Sequence, residues 1–418
     1  MRSKKQSFTR WGWVLLLLSA LGLAPAAPAQ SYKVIYNFTG QADGANPLGG
    51  VTMDSAGNLY GTTFAGGRRG FGNLYRLVRS GSSWVFYLVY TFLGFTQTSI
   101  DGANPYARPV IGPDGFLYGT TRSGGNGDGC RELHGCGTVY KVQPKPGGGP
   151  LDPWQEIVLY QFGTYDGSDP YYGDVVFDTA GNLYGMTRNG GANLLGAVYE
   201  LSPGSGGWTE SVLYSFSGAD GSTPLSGPSL DLAGNLYGTT SAGGTSNWGT
   251  VFQLKPSVAS WMESVLHNFQ GISDGSTPSS GISVDTAGNL YGATQAGGPG
   301  GGGTAFELLP AGGGVWSLST LVGFKSAVFG GSYRTLAMDR AGNLYGTTAA
   351  DGASQRGSVF KLSPVNGGWV ETSLHDFTGG ADGAAPYGNL AFDAYGNIYG
   401  TASMGGAYGN GVVFQITP

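Results

Sequence analysis

Six aspartates recur in one local setting, Asp-Gly-x-x-Pro: Asp43, Asp101, Asp166, Asp220, Asp274 and Asp382. Carboxylates gathered at a common opening could hold a hard cation such as Ca²⁺, which takes about six to eight oxygen ligands. Each could instead accept hydrogen bonds from the amides of its own turn, with the proline starting the next strand. A feature carried by nearly every unit is better explained by architecture than by a site that needs one copy. The turn reading is therefore preferred, and no cofactor is expected.

A second concentration of chemistry lies where the chain is least regular. Only 11% of the 418 residues are Asp, Glu, Lys or Arg. Yet residues 122–137 hold Arg122, Asp128, Arg131, Glu132 and His134 together with Cys130 and Cys136. Arg68 and Arg69 sit on the corresponding loop of the preceding unit. Arginine forks bind carboxylate or sulfate through paired hydrogen bonds, so this patch is read as a candidate anion site, against the alternative of a solvated insertion. Trp248 departs from the register of the other tryptophans and is a further candidate for ligand contact. The candidate ligand residues are thus Arg68, Arg69, Arg122, Arg131, His134 and Trp248.

No catalytic residue is assigned. His267 and His375 stand where other units carry Tyr160 and Tyr214, as strand substitutions. There is no G-x-S-x-G elbow, no H-E-x-x-H pair and no Walker-type loop. The two cysteines are separated by five residues, a spacing that suits a loop-closing disulfide, with too few neighbouring ligands for a metal.

These residues must be positioned by something periodic. Gly-Asn-Leu-Tyr-Gly begins at Gly57, Gly181, Gly234, Gly288 and Gly342, with variants at Gly115 and Gly396. A repeat of this length is the first fact to be read from such a chain. The fourth unit predicts four short strands: 226–231, 236–240, 250–254 and 261–269. They are rich in Val, Tyr, Phe and Thr and are punctuated by Gly, Pro, Asn and Asp. No helical period appears. The regular tryptophans (Trp84, Trp154, Trp208, Trp261, Trp316, Trp369) and marker tyrosines are expected to pack between neighbouring units.

Four-stranded units in tandem predict an all-β fold, a seven-bladed β-propeller. The segment Tyr32 to Phe38 matches a fourth strand and Gly411 to Thr417 a third strand. The N-terminal strand is therefore expected to complete the last blade, which leaves no open sheet edge. In a propeller the Gly-Gly loops and the Asp-Gly-x-x-Pro loops share a face, and the ligand site is expected there, toward the first two blades.

The tandem Asp-x-x-Gly-Asn-Leu-Tyr-Gly-Thr-Thr, Gly-x-Val-Phe and Trp-x-Glu-x-x-Leu-Tyr-x-Phe pattern resembles the GloVer repeat of exported bacterial "choice-of-anchor tandem repeat" proteins. It is more distantly similar to NHL-type propellers. The resemblance implies export and a propeller-like fold, and it implies no activity. Such proteins often end in a sorting anchor. None follows here, so free secretion or periplasmic residence is expected.

Residues 1–29 read as a cleaved secretory signal peptide, with Arg2, Lys4, Lys5 and Arg10 before the apolar run 14–23 and Ala27-Pro28-Ala29 at the cut. Residues 30–418 form the single propeller domain. Losing those four cations takes the formal charge from −5 to −9. An acidic, charge-poor surface excludes nucleic acid and anionic membrane as partners. The mature chain, with no further membrane span, is expected to be a monomer. Its expected role is non-enzymatic, binding an extracellular glycan, small molecule or protein. The alternative is an extracellular hydrolase or lyase acting on a polysaccharide or small molecule.

Overall fold

The computed structural model describes residues 30–94, 100–125, 130, 135–147, 154–258, 260–325 and 334–418. The leader segment 1–29 lies outside them. The described residues contain no helix, and none therefore that could cross a membrane. Their strands form seven antiparallel sheets arranged as propeller blades and one separate two-stranded pair, Gly102–Ala103 with Ser123–Gly124. Blade 1 runs outward through Val51–Met53, Leu59–Thr63, Asn73–Ser80 and Ser83–Thr91, and blades 2 to 6 repeat this order. In blade 5 a short extra strand, Ser276–Pro278, also pairs with Leu290–Ala296. The last blade joins Ala391–Phe392, Ile398–Ala402 and Val412–Thr417 to Ser31–Asn37. Ser31 faces Thr417 and Val34 faces Phe414, so the expected ring closure is present.

The inner strands are shorter than the sequence suggests. In blade 4 the strand is Ser229–Leu230, not 226–231. Pro228 has no N–H to donate to a ladder, and Gly227 is packed against Asp174 backbone of the neighbouring blade, so no Cβ fits there.

The marker motif is explained by one hairpin. Asp231 Oδ1 accepts from the amides of Ala233 and Asn235, while Oδ2 accepts from Asn235 Nδ2 at 2.7 Å and Tyr237 Oη at 3.1 Å. Gly234 closes the turn at φ 83°, in the left-handed region. The second marker glycine faces the ring of the third strand: a Cβ at Gly238 would sit 2.7 Å from Phe252 Cζ. The same Asp-centred hairpin recurs at Asp54, Asp178, Asp285, Asp339 and Asp393.

Burial is greatest between blades. Seven apolar clusters form, and Tyr399 and Val413 of the last blade pack with Leu59 and Tyr75 of the first. The regular tryptophans lie at these seams as expected: Trp84 meets Tyr399 at 5.8 Å, Trp208 meets Tyr118 at 6.2 Å and Trp261 meets Tyr184 at 6.0 Å. Such edge-to-face pairs add roughly 0.5–1.5 kcal/mol beyond the area they bury.

Candidate functional site at the propeller axis

The inner strands converge on the axis, and the wall is marked by the residue two positions before the one that pairs with each marker tyrosine. Around the ring these are Gly50, Arg108, Asp174, Gly227, Gly281, Thr335 and Asn389. Three of the blades thus place a strongly polar side chain where others place glycine. Arg108 Nε meets Asp174 Oδ2 at 2.7 Å, and Asn389 Nδ2 donates to the same oxygen at 2.7 Å.

Arg334, from blade 6, closes the axis above them. It is only 3% exposed. Its Nε donates to the carbonyl of Tyr387 at 2.8 Å, and Nη2 donates to those of Leu48 at 3.0 Å and Tyr106 at 2.7 Å. Nη1 donates to the carbonyl of Tyr172. The guanidinium also lies 4.6 Å from the centre of the Tyr172 ring. One side chain therefore holds backbone leading into four other blades. Burial lowers its pKa, against the opposing pull of Asp174 and Tyr172. Arginine is suited to this place because its planar fork stays charged when buried and presents five donors.

Beneath the plug is a cavity of about 380 Å³, lined among others by Arg108, Asp174, Ser226, Arg334, Thr335 and Asn389. Three buried polar atoms here have no hydrogen-bond partner: Asp174 Oδ1, Asn389 Oδ1 and Ser226 Oγ. Buried polar atoms are normally satisfied, so each such exception asks for an explanation. A second cavity, of about 780 Å³, shares Ile111, Val176 and Phe177 with the first. It is lined by the inner-strand ends and Asp-centred turns of blades 2 to 5. The cavities therefore lead from Arg334 toward the face of the Asp-x-x-Gly-Asn turns.

On the other face, where the site was expected, blades 2 and 3 build an arginine–tyrosine cluster. Arg122 Nε meets Asp169 Oδ1 at 3.1 Å, and Arg188 Nη1 meets Oδ2 at 3.4 Å. Burial raises the Asp169 pKa, while both arginines pull it down. Both guanidinia lie over the Tyr171 ring, at 5.2 and 5.1 Å, and that ring stacks on Tyr106 at 4.5 Å. Arg122 is thus engaged within the fold. Arg68 and Arg69 are exposed on the loop that follows Leu59–Thr63. Arg131 and His134 lie outside the described residues. Trp248 is 48% exposed and lies against Gly271, with its carbonyl accepting from the Thr277 amide. Cys130 and Cys136 form a disulfide with a Cα–Cα distance of 5.1 Å, and Cys136 is packed with Val139, Phe162 and Tyr199.

The six repeated aspartates are each tied to their own turn. Asp43, Asp101, Asp220 and Asp382 accept from the amides of Thr39, Leu93, Ser217 and Thr378, and Asp166 and Asp274 from those of Gly163 and Gln270. Each also meets an aromatic side chain of the preceding outer strand. These are Tyr36, Tyr90, Tyr160 and Tyr214 in four cases, and His267 and His375 in the other two. Among the described residues no group of three or more His, Cys, Asp or Glu is placed to hold a metal ion.

Sequence reasoning passed over Arg108, Asp174, Ser226, Arg334 and Asn389. Their signal was present: they occupy aligned positions where other units have Gly, and Arg334 belongs to the one unit that lacks the Asp-Gly-x-x-Pro sequence. It passed over Glu156, Glu210 and Glu263 as well. Burial, with Asp166 beside one and Asp220 beside the other, pushes Glu210 and Glu263 up to about 7. Glu156 is raised well above the usual range by burial and Asp101.

The fold is similar to that of two kinds of solved structure. The extracellular domain assigned to a one-component system, BT4673, in B. thetaiotaomicron is 14% identical at a TM-score of 0.52; the match covers 91% of this chain and 39% of that one. The chain therefore spans well under half of that protein's length. An ulvan lyase of polysaccharide lyase family PL25 is 10% identical at a TM-score of 0.54, over 90% of this chain and 94% of that one. At these identities the likeness is one of fold alone. No curated protein matches the sequence. A model of the Gloeobacter/Verrucomicrobia repeat matches residues 24–231 and 226–418, and with nearly the whole propeller so covered the chain belongs to that repeat family.

Proposed function

We propose that this is an exported, non-enzymatic binding propeller whose ligand occupies the axial cavity, entered from the face of the Asp-x-x-Gly-Asn turns. The observation that carries the reading is the set of unpartnered polar atoms, Asp174 Oδ1, Asn389 Oδ1 and Ser226 Oγ, around a cavity of about 380 Å³. That volume falls within the ~300–1,000 Å³ of small-molecule sites. Two acceptors and a hydroxyl beside Arg108 suit a small hydroxyl-rich molecule, which can donate to the first two and accept from the arginine. The apparent leader and the disulfide favour an exported setting. The axial site is preferred to the Arg68–Arg69 loop because Arg122, the intended partner of those residues, is held by Asp169.

The test is a thermal-shift screen of the mature protein against monosaccharides, oligosaccharides and small hydroxy acids. Arg108→Ala should weaken any hit by about tenfold or more, since a charged hydrogen bond contributes roughly 1.5–3 kcal/mol, and Asn389→Ala should weaken it less, since a neutral one contributes roughly 0.5–1.5 kcal/mol. Arg68→Ala/Arg69→Ala should leave it unchanged. A hit lost only in the loop variant moves the site to the opposite face.

The second reading is an extracellular hydrolase or lyase. It is favoured by Arg108, Asp174 and Arg334, from three blades, lining one cavity. Against it, Asp174 Oδ2 is already shared by Arg108 and Asn389, an arrangement for holding rather than for moving a proton. Depolymerisation of any polysaccharide substrate, abolished in Asp174→Asn, would establish the enzymatic reading.

A further inference from the structure

Positions alike in every blade are accounted for by the fold, so a second site should appear where a unit departs from its siblings. Two departures meet at the seam between the last blade and the first. In these turns the residue just before the turn glycine is Ala56, Ala180, Ala233, Ala287 or Ala341 in five blades and Asp114 in blade 2, but Tyr395 in the last. That ring is 88% exposed. Opposite the tryptophan on the third strand stand Pro203, Pro256, Pro310 and Pro364, but Arg79 faces Trp84. Tyr395 and Arg79 come from opposite ends of the chain, and both line one groove of about 590 Å³ with Trp84, Phe392, Asp54 and Asp393.

The chemistry of the groove selects its occupant. Tyr395 and Trp84 offer ring faces and edges to a flat apolar surface. Arg79 brings donors only, and it is exposed. Asp54 and Asp393 each already accept four hydrogen bonds from their own turns, so they have little left for a ligand. Their two charges against one from Arg79 leave the groove net negative, which repels phosphate, sulfate and carboxylate. What fits is an uncharged ring with an apolar face and hydroxyl acceptors at its edge. We infer that the groove between the last and first blades binds the pyranose rings of a neutral glycan, stacked on Tyr395 and Trp84 with hydroxyls held by Arg79.

The test restores the repeat. Tyr395→Ala and Arg79→Pro give this seam the residues its siblings carry, at positions whose backbone other blades already adopt. Titration calorimetry would use cellohexaose, laminarihexaose, mannohexaose and maltohexaose, with a hyaluronan hexasaccharide as the acidic arm. Binding of at least one neutral hexasaccharide is expected, weakened about tenfold or more in Tyr395→Ala and in the double variant. Thermal unfolding of both variants should match that of the parent. Three results would overturn the inference: no neutral hexasaccharide binds, the acidic one binds more tightly, or binding survives in the double variant. Loss of binding in Arg108→Ala with the groove intact would also overturn it, because the glycan would then be in the axial cavity.

Discussion

Arg108 and Asp174 meet at 2.7 Å beside the axis from adjacent blades, at positions that in three other blades are glycine. Their pairing leaves one carboxylate oxygen buried and unpartnered. The wall of the channel is therefore asymmetric, polar along blades 2, 3 and 7 and bare along blades 1, 4 and 5.

Arg334 should be the most sensitive single residue for stability. Arg334→Met removes the buried donor from four carbonyls. The cost is expected at roughly 3–5 kcal/mol, the range for breaking a buried charged network. Arg334→Lys should not restore it, because an ammonium cannot span carbonyls set around a planar fork. Chemical denaturation reads the effect directly. A loss under about 1 kcal/mol would mean the axis closes without this residue.

Stability should fall as the solution passes from mildly acidic to neutral. Glu210 and Glu263 titrate ordinarily near 4.5 and are pushed up to about 7 in the fold, burial being the main cause. The folded state then holds more protons than the unfolded state between these values, so unfolding becomes easier as pH rises through that window. Solvent contact at both residues screens the effect, so only its direction is predicted. On the acid side, Asp114, Asp178, Asp339 and Asp382 are held below 3.8 by hydrogen bonds from their neighbours, against the effect of burial. Their contribution is present above that value and is lost as pH falls through their folded values. Denaturation midpoints should therefore be greatest between about pH 4 and 6. Glu210→Gln/Glu263→Gln should flatten the decline toward neutrality. A parent protein more stable at about pH 7.5 than at 5 would contradict the assignment.

Removing the closing strand should be far more damaging than removing a surface loop. Deletion of residues 30–37 bares the edge of Val412–Thr417, which now pairs with Ser31–Asn37. An exposed hydrophobic edge recruits another chain. Loss of cooperative unfolding, or association that grows with concentration in light scattering, is expected. A truncated monomer with an unchanged midpoint would show that the ring is held elsewhere.

Unreduced protein should show no free thiol. Cys130→Ser/Cys136→Ser opens only a small loop, and the loop-entropy estimate for so short a closure is about 2 kcal/mol. The change should be confined to the blade 2 insertion. Thiol titration with and without reductant, beside denaturation of the variant, measures both statements.

Much of the fold was legible because its determinants are local and repeated. Asp231, Gly234, Asn235 and Tyr237 specify one hairpin through contacts within six residues, and a period of such hairpins specifies blades. The closing pair was legible too, from the phase of the repeat at Tyr32 and at Thr417. The axial cluster was not, since Arg108, Asp174 and Asn389 are brought together only when the ring closes. No spacing in the chain announces that three units will point at one place. The exposed arginines drew attention because charge is scarce here, yet Arg122 turned out to be spoken for by Asp169.

The pairing of Ser31 with Thr417 also fixes an order in time. These residues are separated by 386 positions (417 less 31), so the first strand to leave the ribosome or cross a membrane finds its partner only when the last arrives. Contacts of such long range are slow to form. Until then blade 7 has no outer strand, and the chain remains an open row of blades. Closure then waits on Val412–Thr417, and a molecule cut short anywhere before residue 412 cannot reach it.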